Sequence, residues 1–128
     1  MSEPIVFIST HRIKEGKLDE FQHLSRKMAP LLEAGQPNTV FFHGYLNEEG
    51  TEVTFVWVFP DADGMDLHFQ GAGERAAQAY EFVQPQRFEI YGTPSDQVLS
   101  MMRQEAGQGV GMSVKPKPMG GFIRLGSG

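Results

Sequence analysis

Two strand-forming segments of this chain are apolar on both faces, which limits the folds it can adopt. In residues 4–12, Ile5 and Phe7 alternate with Val6 and Ile8, so neither face of that strand is polar. Residues 52–59 (EVTFVWVF) repeat the pattern. Helices cover only one face of such a sheet, and a bare apolar sheet face is a liability for a monomer. We therefore expect helices on one face, a second copy of the chain on the other, and a homodimer.

The order of the predicted elements defines the fold class. Strands are expected at 4–12, 39–46, 52–59 and 87–91. Helices are expected at 17–33, through His68 and Phe69, at 74–83, and at 96–104 after the capping residue Ser95. Pro30 should kink the first helix or end it early. The order predicts an α+β sandwich of the βαββαβ type with a four-stranded antiparallel sheet and an added C-terminal helix.

The last 22 residues differ in composition from the body. From residue 107 onward there are no acidic residues and three basic ones, Lys115, Lys117 and Arg124. We predict one domain over 1–106, which includes the C-terminal helix within 94–106, and a Gly/Pro-rich basic arm over 107–128. The arm is expected to dock on its own body or on the partner subunit, with disorder or ligand contact through Arg124 as alternatives.

Composition excludes several functional classes. The chain has no cysteine, so disulfides, thiolate metal sites and cysteine nucleophiles are ruled out. A net charge of −5 argues against nucleic-acid binding. We find neither a signal sequence nor a segment apolar and long enough to span a membrane, and we expect a cytoplasmic protein. The histidines show no metal-binding spacing, so no metal site is predicted.

Three histidines are candidates for acid–base chemistry, since histidine is the usual base near neutral pH. His68, on the helix after the third strand, is the first candidate, and a locally hydrogen-bonded structural histidine is the alternative. His43, in mid-strand, is the second candidate base, or else an interface residue. His11, at the end of the first strand, is a candidate binding residue. His23 is expected to face solvent.

Aromatic residues concentrate in the middle of the chain. Each fits a core role, but together they suit a flat apolar cavity for an aromatic ligand. The candidate binding residues, with His11, are Trp57, Phe55, Tyr45 and Tyr91. The sequence does not decide the register of the hairpin formed by residues 39–46 and 52–59. One register pairs Trp57 with Phe42, and the other puts His43 and Tyr45 on the side of Trp57.

Two segments carry a family resemblance. IVFISTHRIKEGKLDEF is a strand that enters a helix through basic, glycine, acidic and phenylalanine positions, and VWVFPDADGMDLHFQ joins a strand to an acidic cap and the helical His68. Over residues 4–92 the chain resembles the antibiotic-biosynthesis-monooxygenase-like group. The resemblance implies a ferredoxin-like domain that pairs into a dimeric α/β barrel. It also implies a cofactor-independent oxygenase, a haem-degrading enzyme or a protein without known activity.

The resemblance leads to a functional prediction. The chain is expected to be a cofactor-independent monooxygenase that oxidises a small phenolic or quinol-like aromatic with O₂, with His68 or His43 assisting deprotonation. The first alternative is a non-catalytic ligand-binding or regulatory dimer of the same fold. The second is haem binding or degradation, for which Trp57 and His68 suit two family positions and Ser9 or His11 stands where asparagine is expected. The expected partners are a second copy and a small aromatic ligand.

Overall fold

The computed structural model describes residues 3–107 and 109–124. Its elements are β1 (Ile5–Ile13), α1 (Leu18–Gly35), β2 (Phe41–Leu46), β3 (Glu52–Phe59), α2 (Ala62–Phe69), α3 (Ala72–Ala79), β4 (Val83–Tyr91), α4 (Asp96–Ala106) and β5 (Gly111–Lys115). The predicted α+β class and the βαββαβ order are confirmed, with the second helix split into α2 and α3.

The strands form one sheet in the order β2-β3-β1-β4-β5. The first four are antiparallel in the ferredoxin-like arrangement, as predicted. The prediction of four strands was wrong, because β5 adds a fifth, parallel to β4. The arm thus docks on its own body between Gly111 and Lys115. Residues 125–128 of the predicted arm lie outside the described residues.

Helix α1 and strand β4 each accommodate a proline. Helix α1 continues past Pro30 to Gly35. Both Pro30 and Arg26, whose carbonyl loses its helical partner, are exposed, so water can satisfy that carbonyl. Strand β4 begins at Val83 rather than at residue 87. Pro85 is tolerated there because a β-bulge shifts the pairing with β1 between Thr10 and His11.

The hairpin register decides which residues share a face. Trp57 lies opposite Phe42 on β2 and opposite Phe7 on β1. The odd-numbered residues of β1 and β3 therefore face the helices, as do the even-numbered residues of β2. This face holds the main core, in which Phe7, Trp57 and Phe59 are buried.

The helix that carries His68 is held at both ends. Asp61 caps α2 by accepting a hydrogen bond from the Gly64 amide at 2.8 Å. Gly71, at φ 74°, separates α2 from α3 in a conformation that favours glycine. Ser95 caps α4 and donates a 2.6 Å hydrogen bond to Asp66 of α2. These contacts define the start of α2 and tie it to the start of α4.

A search of the described helices for a membrane span found none of the required length and apolarity.

Candidate functional site

A cavity of about 470 Å³ lies between the helices and the sheet. Its floor and walls are largely aromatic, and the rings come from all four strands of the antiparallel sheet and from the helices: Phe7, Phe21, Phe42, Phe55, Trp57, Phe69, Tyr80 and Phe88. The α3 side of the cavity is lined by Ala72, Ala76 and Ala79, whose small side chains leave the space open. Its size and apolar walls suit a small planar ligand.

His68 forms part of the cavity wall and is 5% exposed. Its ring lies 4.1 Å from the Trp57 ring and 5.3 Å from the Phe59 ring, centroid to centroid. The short Pro60–Asp61 connection between β3 and α2 brings these side chains together. The predicted neighbourhood of His68 and Trp57 is therefore present.

A buried glutamine orients the His68 ring. Nδ1 of His68 lies 2.9 Å from Oε1 of Gln36, and Oε1 also accepts a 3.2 Å hydrogen bond from the Thr39 hydroxyl. Because this oxygen can only accept, Nδ1 of His68 must carry the proton. Nε2 is then the unprotonated nitrogen, with a lone pair free to accept a proton or a hydrogen bond.

The electrostatic environment keeps His68 neutral. Burial, and secondarily the charge of Arg75, lower the pKa of His68 from 6.5 to about 3. The Arg75 guanidinium donates to the backbone carbonyls of His68 and, at 3.3 Å, of Gln70, at the C-terminus of α2. Arg75 also lines the cavity and brings a positive charge to a wall that includes one acidic residue, Glu105.

His11 lines the same cavity from β1 and is 7% exposed. Its ring lies among those of Phe55, Tyr80 and Phe88, with centroids 5.9 to 6.5 Å away. Burial lowers the pKa of His11 to about 4, so this ring is also neutral at pH 7. Four of the seven residues singled out from the sequence thus meet at one cavity: His68, His11, Trp57 and Phe55.

The other three sequence candidates do not line this cavity. His43 and Tyr45 lie opposite Val56 and Thr54 on the outer sheet face, because the register pairs Trp57 with Phe42. There the His43 and Tyr45 rings are 4.8 Å apart, and Tyr45 is 52% exposed. Tyr91 also lies on the outer face, opposite Val6, and its hydroxyl donates to Glu89 at 2.7 Å.

Two polar residues of the site were not singled out from the sequence: Arg75, which lines the cavity, and Gln36, which hydrogen-bonds His68 from behind the cavity wall. Gln36 ends α1 in a Gly-Gln-Pro segment that reads as a loop, and its contact with His68 spans 32 positions. Arg75 is a single base in an alanine-rich helix. The sequence gives one signal for each: Gln36 is a polar residue in a loop segment, and Arg75 is a polar residue in an apolar helix. Within residues 3–107 and 109–124, no group of three or more histidine and acidic side chains is arranged to hold a metal ion.

Comparison with known proteins identifies the fold. No protein-family model and no curated protein matches the sequence. Solved structures do match. MupZ from Pseudomonas fluorescens has a TM-score of 0.70 at 18% identity, covering 97% of this chain and 91% of its own. SnoaB from Streptomyces nogalater, a cofactor-independent oxygenase, has a TM-score of 0.60 at 14% identity, covering 73% of this chain and 96% of its own.

A third match is a Bacteroides thetaiotaomicron protein provisionally described as an antibiotic biosynthesis monooxygenase. Its TM-score is 0.57 at 15% identity, and the match covers 69% of this chain and 85% of that protein. The chain therefore has the ferredoxin-like fold of antibiotic-biosynthesis-monooxygenase-like proteins, and the resemblance inferred from residues 4–92 is confirmed at the level of the fold.

Proposed function

We propose that this protein is a cofactor-independent monooxygenase that oxidises a small phenolic or quinol-like aromatic with O₂. The observation that carries the proposal is the state of His68: a neutral imidazole, oriented by Gln36, in the wall of an aromatic cavity that also contains a cation. SnoaB, which shares the fold, is a cofactor-independent oxygenase. That likeness supports the choice of reaction class.

The chemistry begins with proton transfer. A substrate hydroxyl donates a hydrogen bond to Nε2 of His68 and then passes its proton to it, which leaves a phenolate-type anion. The resting pKa of His68 opposes this step, but a bound anion raises that pKa again because opposite charges at close range favour the charged imidazole. Arg75 stabilises the substrate anion by its own charge.

The substrate anion then supplies the electrons. A ring carbon of the anion, one with a C–H bond, attacks O₂, and the peroxide that forms takes back the proton held on Nε2 of His68. The resulting hydroperoxide loses water, which includes the hydrogen of that carbon, and leaves a carbonyl there. One oxygen atom enters the product and the other leaves as water. The substrate is the reductant, so the protein's task is to bind it, ionise it and stabilise the anion.

An oxygen electrode tests this proposal with a panel of hydroquinones, naphthols and dihydroxynaphthalenes. We expect O₂ uptake with at least one of them. His68→Ala should lower kcat/KM by roughly 10²–10⁴-fold, the usual contribution of a general base. His68→Asn, which retains a hydrogen-bonding group but no base, should be similarly impaired, and His23→Ala on the exposed side of α1 is the control. Uptake unaffected by His68→Ala would contradict the assignment.

The two alternatives are separated by direct measurements. Tight binding of a panel member without O₂ uptake would support the non-catalytic ligand-binding dimer instead. The haem alternative predicts that added haemin shows the shifted and sharpened Soret band of a protein-bound haem, and that His68→Ala abolishes this change. We expect no such change on addition of haemin.

We further propose that the outer sheet face packs against a second copy of the chain. This face presents Ile8, Val56 and Val58, all half-buried, beside the exposed Phe41 and Tyr45. A contiguous apolar surface of this kind is unusual on a monomer. The described helices all pack on the opposite, cavity-lining face of the sheet, so none of them covers this outer face.

Sedimentation measures the dimer directly. We expect a dimer at micromolar concentration, which Val56→Asp dissociates because the substitution places an unpaired charge in the interface. Ala77→Asp, on the exposed surface of α3, is the matched control and should remain dimeric. A wild-type protein that sediments as a folded monomer would refute the interface.

A further inference from the structure

His11 is a second imidazole in the cavity wall, away from His68 and beyond Ser9 on the same face of β1. His11 is more than nine-tenths buried, and its Nδ1 is the buried side-chain nitrogen or oxygen that lacks a hydrogen-bond partner in the described part of the chain. Buried polar groups are nearly always paired, so an enclosed nitrogen without a partner constrains which of the two ring nitrogens of His11 carries the proton. The β-bulge lies on the neighbouring strand β4, where Gln86 is the extra residue opposite Thr10 and His11.

The two histidines differ in hydrogen-bonding character. Gln36 makes Nδ1 of His68 a donor, which leaves its Nε2 as an acceptor. In His11, Nδ1 faces no donor or acceptor. An unpaired buried acceptor is more common than an unpaired buried N–H, so the favoured tautomer of His11 has the proton on Nε2. The nitrogen left to a ligand is therefore a donor at His11 and an acceptor at His68.

The strand register gives the separation of the two positions. His68 packs on Trp57, whose partner on β1 is Phe7. His11 lies four residues further along β1, which corresponds to about 13 Å at the usual rise per residue. The space between them is walled by Phe42 and Phe55, whose rings are stacked at 5.7 Å, and by the buried Ser9 of β1.

From this geometry we propose that the cavity binds an elongated planar aromatic ligand with a hydroxyl at one end and a carbonyl at the other. The hydroxyl donates to Nε2 of His68, and Nε2 of His11 donates to the carbonyl. His11 is thus a specificity-determining residue that selects the carbonyl end and sets the direction in which the ligand lies. The inference rests on the proposed function only in taking this cavity as the substrate site.

Binding of three matched naphthalenes tests the inference, with quenching of Trp57 fluorescence as the signal. Trp57 is the single tryptophan of the chain and lies in the cavity wall. 6-Acetyl-2-naphthol carries both groups, 6-ethyl-2-naphthol lacks the carbonyl, and 2-acetyl-6-methoxynaphthalene lacks the hydroxyl donor. Anaerobic solutions separate binding from turnover. Wild-type protein should bind the first compound about tenfold more tightly than either of the others, the usual effect of one additional hydrogen bond.

Variants assign each preference to one histidine. His11→Phe should abolish the preference for the acetyl over the ethyl compound and leave the affinity for the ethyl compound within about twofold. His11→Gln, which retains an N–H donor of smaller volume, should keep part of the preference and controls for misfolding. His68→Phe should instead abolish the preference for the hydroxyl over the methoxy compound.

Two results would overturn the inference: wild-type protein that binds none of the naphthalenes or does not distinguish them, or a His11→Phe variant that keeps the acetyl preference. The outcome is independent of catalysis. If the predicted preferences appear but no panel compound drives O₂ uptake, the oxygenase proposal fails and the two-ended ligand site stands. If O₂ is consumed but the preferences are absent, the two-ended ligand site fails and the oxygenase proposal stands.

Discussion

Mild acid should destabilise this protein through His11 and His68. Both are buried and neutral in the folded state, where burial lowers their pKa values from 6.5 to about 4 and about 3. In the unfolded chain each histidine regains a pKa near 6.5 and binds a proton as the pH falls below that value. The unfolded state then binds more protons than the folded state, so the free energy of unfolding decreases as the pH falls from about 6.5 towards 4.

The size of the effect follows from the two pKa values. Between pH 7 and pH 5 each histidine lowers the free energy of unfolding by roughly 2 kcal/mol, and the pair by on the order of 4 kcal/mol. An ordinary domain has a total stability of about 5–15 kcal/mol, so the loss is a large fraction of it. The chosen interval stays above the pH range in which most carboxylates titrate.

Urea unfolding at pH 7 and pH 5, followed by Trp57 fluorescence at fixed protein concentration, measures this difference. His11→Phe should remove about half of the pH dependence, since phenylalanine does not titrate and fills a similar space. His23→Phe, at an exposed site on α1, is the matched control and should leave the difference unchanged. Equal wild-type stability at the two pH values, or an undiminished difference in His11→Phe, would refute the reasoning.

Three further substitutions have defined outcomes. In Gly44→Ala the new Cβ would lie 2.7 Å from the Phe55 ring, so we expect the ring to move into the cavity. The substitution should lower stability by about 1–3 kcal/mol and weaken the binding of 6-ethyl-2-naphthol. An unchanged melting temperature and unchanged binding would contradict this. Ser95→Ala removes the cap of α4 and a partner of Asp66 and should cost about 1 kcal/mol in urea unfolding, most of which Ser95→Thr should recover. Arg75→Met should slow O₂ uptake roughly tenfold or more, because it removes the charge that stabilises the substrate anion, and an unaltered rate would exclude that role. It should also lower stability by about 1–3 kcal/mol in urea unfolding, because it removes the hydrogen bonds to the carbonyls of His68 and Gln70.

The fold was predictable because its signals are local. Alternation of side chains defines β1 and β3, and the capping residues Asp61 and Ser95 mark the starts of α2 and α4. Strand β5 was not predicted, because it pairs in parallel with β4 across an intervening helix. Its sequence lies in a glycine- and proline-rich arm whose composition resembles that of a tail.

The candidate site was predictable in part for a related reason. His68 and Trp57 are joined by a short connection, so chain order alone brings them close. Which sheet face His43 and Tyr45 occupy depends on the hairpin register, because a shift of one residue moves a side chain to the opposite face. Gln36 and Arg75 reach the site through contacts that no local pattern encodes.

The alanine stripe of α3 gives the protein a way to change its ligand without changing its chemistry. Ala72, Ala76 and Ala79 set how much room the cavity has, while the polar groups at its ends come from β1 and α2. Gly71 separates α3 from α2, and Arg75 is the α3 residue that hydrogen-bonds the end of α2, so a larger side chain in place of an alanine leaves that link intact. Replacement of one alanine by valine or leucine would shorten or narrow the accepted ligand and leave both of its end groups recognised. Ligand size and ligand polarity can therefore diverge independently among descendants of this sequence, and a protein engineer can vary them separately.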